Sequence, residues 1–223
     1  MSFPLAAMLS MLTFFAFAQE QVLDQNKAIE YYQRGSEQLQ LQNYKQAIAL
    51  INSAIAFNRI NPDYYYARGL AYYRSEDFET ARKDFSKAVE MDPKQANYYY
   101  YLGSIYQKLG DLEQSTSHYQ LAIERNSDSY MKIDEVNALS HMGVNHIKQK
   151  SFDKAIGVFD QLIEKDPDNK SAYLNRGIAE GSLRRVDEAC RDFARAKELG
   201  STAASTYSQR YCSGIPVTLG GTE

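Results

Sequence analysis

The chain has 223 residues, and its 25 Lys plus Arg against 28 Asp plus Glu leave a formal net charge of −3. That balance argues against a nucleic-acid partner, which requires a concentrated basic surface. Hydrophobic residues at 44% and charged residues at 24% describe a folded chain, and not a disordered one. Two Cys and three His cannot build a four-thiolate zinc site, so no metal or cofactor is expected.

Met1 to Ala18 carries no charged side chain, and Leu5 to Ala18 is almost wholly apolar. The run ends in Ala16-Phe17-Ala18, the small-x-small pattern that a signal peptidase reads, followed at once by Gln19-Glu20-Gln21. A spanning helix needs about 20 apolar residues; this run is shorter and has Pro4 near its start. Residues 1–18 therefore read as a secretory signal peptide cleaved after Ala18. The mature chain is then expected to be periplasmic or secreted, in a bacterial envelope, with no transmembrane span. No Cys follows the apolar run, which excludes a bacterial lipoprotein anchor.

After a lead-in over 19–27, one interval recurs. Gly35 to Gly69 is 34 residues, as is Gly69 to Gly103, and Tyr44 to Phe78, Ala47 to Ala81 and Ala54 to Ala88 repeat it. Phe152 to Val186, Ala155 to Ala189 and Phe159 to Phe193 are again 34 apart. Self-similarity at this period marks a stack of helix pairs, and no stretch alternates apolar and polar residues long enough for a strand.

These residues resemble the tetratricopeptide repeat family. Position 8 of its consensus is Gly35, Gly69, Gly103, Gly143 and Gly177, and position 20 is Ala47, Ala81, Ser115, Ala155 and Ala189. Position 24 is large throughout, with Ile51, Phe85, Tyr119, Phe159 and Phe193, and Pro93 and Pro167 close units. The resemblance covers 28–200 and implies an all-α, right-handed superhelical solenoid of five helix-turn-helix repeats. Their expected bounds are 28–61, 62–95, 96–129, 136–169 and 170–200. Gly and Ala let paired helices approach closely, and large residues fill the space beside them. Asp77, Asp111 and Ser151 precede second helices as N-caps.

The period breaks twice. Gly103 to Gly143 is 40 residues, so six extra residues fall at 130–135, within a stretch 127–135 that either bulges as a loop or begins the next helix early. At the C-terminus, Ala203, Tyr207 and Tyr211 share one helical face, predicting a capping helix over 201–212 such as solenoids need. The tail 213–223 is expected to be disordered. An export signal implies an oxidising compartment, which favours a Cys190–Cys212 bridge from the cap to the last repeat. Two unpaired thiols are the alternative.

No phosphate-binding loop, HExxH or GxSxG motif is present, so no enzyme is expected and no catalytic residue is assigned. His141 and His146 lie five apart and point in different directions, and His146 falls at a core-packing position. The resemblance implies an adaptor scaffold whose function sits in a concave groove lined by positions 2, 5, 6, 9, 12 and 13 of the first helices. There the resemblance places Tyr32, Tyr66 and Tyr100, with Tyr101 and Tyr73, beside a basic line of Arg74, Lys108 and Lys148. Such a face suits a protein or extended peptide, acidic or carrying a free carboxylate. The alternative is a structural accessory of an envelope assembly, acting through the convex face or the 127–135 insertion. The known carboxylate clamp is absent, because its required Lys, Asn and Arg positions hold Tyr32, Ser36, Ala67, Asn97 and Tyr101.

Overall fold

The computed structural model describes residues 5–212. Within them the chain is all helix, with no strand, and it forms two compact units, Met1–Pro93 and Lys94–Glu223. The first holds α1 (Leu5–Gln40), α2 (Tyr44–Phe57), α3 (Pro62–Arg74) and α4 (Phe78–Met91). The second holds α5 (Ala96–Leu109), α6 (Leu112–Arg125), α7 (Glu135–Lys148), α8 (Phe152–Lys165), α9 (Lys170–Ser182), α10 (Val186–Glu198) and α11 (Thr202–Cys212). Helix α1 is one continuous element of 36 residues that runs from the apolar segment through the lead-in into repeat 1. No helix among the described residues is long and apolar enough to cross a membrane. The tail 213–223 lies outside the described residues.

The hairpins close where a glycine faces a ring. A Cβ built on Gly143 would lie 2.5 Å from a Phe159 ring carbon, and one on Gly177 would lie 2.7 Å from the Phe193 ring. Only a missing side chain admits these rings. Ala47, Ala81, Ala155 and Ala189 are fully buried beside them, as are Phe85, Phe159 and Phe193. Each Phe buried in this way contributes about 2–3 kcal/mol.

Five hairpin turns share a left-handed residue at one register position: Gln42, Glu76, Gly110, Lys150 and Arg184. Only Gly110 takes that conformation freely; each of the others costs about 1 kcal/mol, which helix packing offsets. Caps then start the helices. Asp77 accepts from the Thr80 amide at 3.1 Å and Asp111 from the Gln114 amide at 3.0 Å. Ser151, expected to act likewise, makes no side-chain cap bond, and α8 begins with the Ser151 backbone carbonyl accepting from the Ala155 amide at 3.0 Å.

Two arginines staple three helices each. In the first unit Arg68 (α3) donates through Nε and Nη2 to Asp84 (α4) at 2.8 and 2.6 Å, and through Nη1 to Asn52 (α2) at 2.7 Å. In the second, Arg176 (α9) donates to Asp192 (α10) at 2.8 and 2.7 Å and to Asp160 (α8) at 2.6 Å. Both arginines stand one residue before the repeat glycine.

The insertion is a built loop. Glu135, assigned to it by the spacing, is the first residue of α7, so the connection spans 126–134. Asn126 ties its two ends by accepting from the Ile133 amide at 2.8 Å and donating to Glu135 at 2.9 Å. Ser129, buried, accepts from the Ala96 amide at 3.1 Å and donates to Gln95 at 3.0 Å. The loop therefore folds back onto the start of α5.

Helix α11 closes the second unit. Tyr207 and Tyr211 each pack on Phe193 at 5.9 Å between ring centroids, and a Cβ on Gly181 of α9 would lie 2.8 Å from the Tyr211 ring. Ala204, not Ala203, is the fully buried alanine, because the helix turns its third residue inward. A disulfide joins Cys190 of α10 to Cys212.

Two outcomes follow for stability. Gly143→Ala, forced against Phe159, destabilises by about 1–3 kcal/mol. Gly157→Ala, whose Cβ would meet nothing within 4 Å, stabilises by up to about 1 kcal/mol; urea melts followed by circular dichroism compare them. Replacing Cys190 and Cys212 by Ser removes about 3 kcal/mol from the second unit, by the loop-entropy estimate for a 22-residue separation, read in the same melts.

Candidate functional site

The first helix of each hairpin carries the expected binding residues, and the two units arrange them differently. In the first unit the tyrosines are half-buried and ring-packed. Tyr32 on α1 lies 4.9 Å from Tyr64 on α3, and burial together with Asp63 pushes its phenol pKa up. Tyr66 meets Phe85 edge-on at 5.8 Å, and Tyr73 meets Phe78 at 5.7 Å. These rings thus support the helix pairing while keeping part of their surface open. Arg74, exposed, ends α3 and lines a small recess with Leu39, Gln40, Gln42 and Leu70.

The second unit gathers its residues into one cluster. Tyr100 on α5 packs edge-on against Tyr101 at 5.8 Å, Tyr119 of α6 at 5.3 Å and His141 of α7 at 6.4 Å. His141 stacks on Tyr119 at 5.1 Å between ring centroids with an interplanar angle of 6°. Lys108 and Lys148 occupy the last turns of α5 and α7, both exposed. Each helix C-terminus favours the cation there. Burial, then Lys148 and Lys108, hold the His141 pKa below its ordinary value, so the imidazole is neutral at pH 7.

His141 is the member that reading the sequence missed. It sits at position 6 of its repeat, the register of Tyr101, which is the signal that would have found it. His146, on the opposite side of α7, is half-buried with its Nδ1 lacking a hydrogen-bond partner, and burial and Lys154 lower its pKa. His118 Nδ1 lies 2.8 Å from the Gln114 carbonyl. Among the described residues no group of three His, Cys, Asp or Glu side chains is placed to hold a metal.

The pH response follows from the depressed histidines. Between their folded pKa and the unfolded value near 6.5, the unfolded chain binds protons that the folded chain does not. Stability therefore falls as pH drops from 7 through about 6.5. His141→Gln removes part of this loss, and His146 supplies another part; melts at stepped pH measure both. In a proton NMR titration, Lys148→Ala moves the His141 midpoint upward.

The tetratricopeptide repeat family profile matches residues 32–89 and 142–204, and related profiles of the same repeat match 71–110 and 96–129. No curated protein sequence matches the chain. Among solved structures, the fold is similar to YrrB, a tetratricopeptide repeat protein with an unusual peptide-binding site, at a TM-score of 0.73 and 20% identity, covering 88% of this chain and 97% of that one. MamA gives 0.70 and 21%, covering 86% and 98%. The pilF protein of Pseudomonas aeruginosa gives 0.66 and 16%, covering 85% of each. At these identities the likeness speaks for the fold alone. With profile matches over more than half its length, and glycine-facing helix hairpins at the period of that repeat, the chain belongs to the tetratricopeptide repeat family.

Proposed function

We propose that this protein is an exported, non-enzymatic scaffold that binds another protein or an extended peptide on the face formed by the first helices of its repeats. The observation that carries the reading is the second-unit cluster of Tyr100, Tyr101 and His141, flanked by the exposed Lys108 and Lys148. Amphipathic rings give contact area at little entropic loss, and a neutral imidazole adds a donor and an acceptor. The two ammonium groups favour a partner segment that is acidic or ends in a carboxylate. Export is supported by the apolar run over 5–18 with its Ala16-Phe17-Ala18 ending, and by the Cys190–Cys212 disulfide, a bond typical of oxidising compartments. The periplasm of a bacterial envelope suits both. YrrB, with its peptide-binding site, lends the reading an analogy of fold.

The alternative, an envelope accessory acting through the 127–135 insertion, is less favoured. That loop commits Ser129 to Gln95 and the Ala96 amide, and its exposed Asp128, Tyr130 and Lys132 form no ring cluster like that of Tyr100, Tyr101 and His141.

The test is a cross-linked pull-down from envelope extract. It compares the wild type with a Tyr101→Ala, Lys108→Ala, Lys148→Ala variant whose helicity is checked by circular dichroism. The expected result is a partner recovered by the wild type and reduced at least about tenfold in the variant, the loss of about 1.4 kcal/mol or more. Equal recovery from both sinks the reading.

A further inference from the structure

The arginine staple is not carried through every repeat: its register holds Leu102 in repeat 3 and Met142 in repeat 4. In repeat 4 the register of Arg68 and Arg176 holds Met142, that of Asp84 and Asp192 holds Val158, and that of Asn52 and Asp160 holds Gln120. Where Arg68 and Arg176 bridge successive second helices, no guanidinium spans α6 and α8. Between them lies a cavity of about 810 Å³ floored by α7, a size usual for ligand sites. Gly157 widens it further, since a Cβ there would meet nothing within 4 Å.

The lining is graded along the cavity. At one end Glu113 of α6 and Lys154 of α8 supply one charge of each sign. Gln149, in the turn that leads into α8, stands at that same end; Met142 and Val158 make an apolar floor beside Gly157, and about two turns further along the helices come Gln120 of α6 and Gln161 of α8. From Glu113 to Gln120 is seven helical steps, on the order of 10 Å, which is the length of about three residues of extended chain. Carboxamides match the donor and acceptor pairs of a peptide backbone. Glu113 and Lys154 cancel in net charge, so the lining selects for neither sign of ligand charge.

We propose that this cavity binds an extended, uncharged peptide segment of about three residues, seating one aliphatic side chain on Met142 and Val158 and pairing its backbone amides with Gln120, Gln149 and Gln161. The site lies on the second-helix side of the hairpins and does not rest on the tyrosine cluster. His146, whose Nδ1 has no partner, also lines it and offers a further acceptor or donor to the same backbone.

The probe is the acetylated, amidated peptide Gly-Ser-Asn-Leu-Asn-Ser-Gly, with two controls carrying Asp or Lys in place of Leu. Titration calorimetry measures binding, and the 13C-methyl shift of Met142 locates it. The Leu peptide is expected to saturate in the micromolar to low-millimolar range and to move the Met142 methyl, while both controls bind at least about tenfold more weakly. Gly157→Phe, which fills the cavity from a position with open space, weakens the Leu peptide at least about tenfold. Gln120→Ala with Gln161→Ala, both on exposed residues, does the same and stands in if Gly157→Phe loses helicity. The Tyr101, Lys108, Lys148 variant binds as the wild type does, so a failure of the tyrosine face leaves this result untouched. No Met142 shift at millimolar peptide, equal binding of the Asp or Lys peptides, or full binding by the filled variants overturns the proposal.

Discussion

The helix hairpins depend on an aromatic or aliphatic side chain reaching a helix backbone at a repeat glycine, most closely at Gly35, Gly143 and Gly177. Phe159 against Gly143 and Phe193 against Gly177 come so close that a single methyl group would collide. That approach sets the distance between paired helices, and with it which residues of each helix are left outward. The buried alanines, the strained turn residues and the arginine staples are all consequences of holding the two helices at that spacing. Gln42, Glu76, Lys150 and Arg184 accept a left-handed backbone because the helices they join are already fixed by packing.

The repeat was legible because glycine, alanine and a large residue recur at one interval, and the interval is a physical requirement of the pairing. Less legible was anything decided by helix phase or by a neighbour. Ser151 has the chemistry of a cap and makes no cap bond. Ala203 fits the spacing of a buried face, yet the phase of α11 buries Ala204. The tyrosines at the expected binding positions also proved to be packing residues, since Tyr32 leans on Tyr64 and Tyr100 on Tyr119. A pattern of residue types does not reveal how much of a ring a neighbouring helix covers.

The candidate site shows the same limit from the other side. Tyr100, Tyr101, Lys108 and Lys148 could be picked out by register, but His141 emerged only when its ring was seen on Tyr119. Its neutral state is a property of place, since two lysines and partial burial disfavour the imidazolium. The cavity between α6 and α8 depends on three exchanges in separate helices, Met142, Val158 and Gln120, each ordinary alone. Two faces of one stack thus differ in kind, one built of rings and ammonium groups and the other of amides over an apolar floor.

The second unit is also secured at both extremities. Ser129 and Gln95 hold the beginning of α5 to the loop that follows α6, and the disulfide holds α11 to α10. A stack of repeats ordinarily loosens from its outermost helices inward, because each terminal repeat has a neighbour on one side only. With both of its end helices anchored, melting of this unit has no natural starting point, and its seven helices, α5 to α11, should open together as one cooperative block.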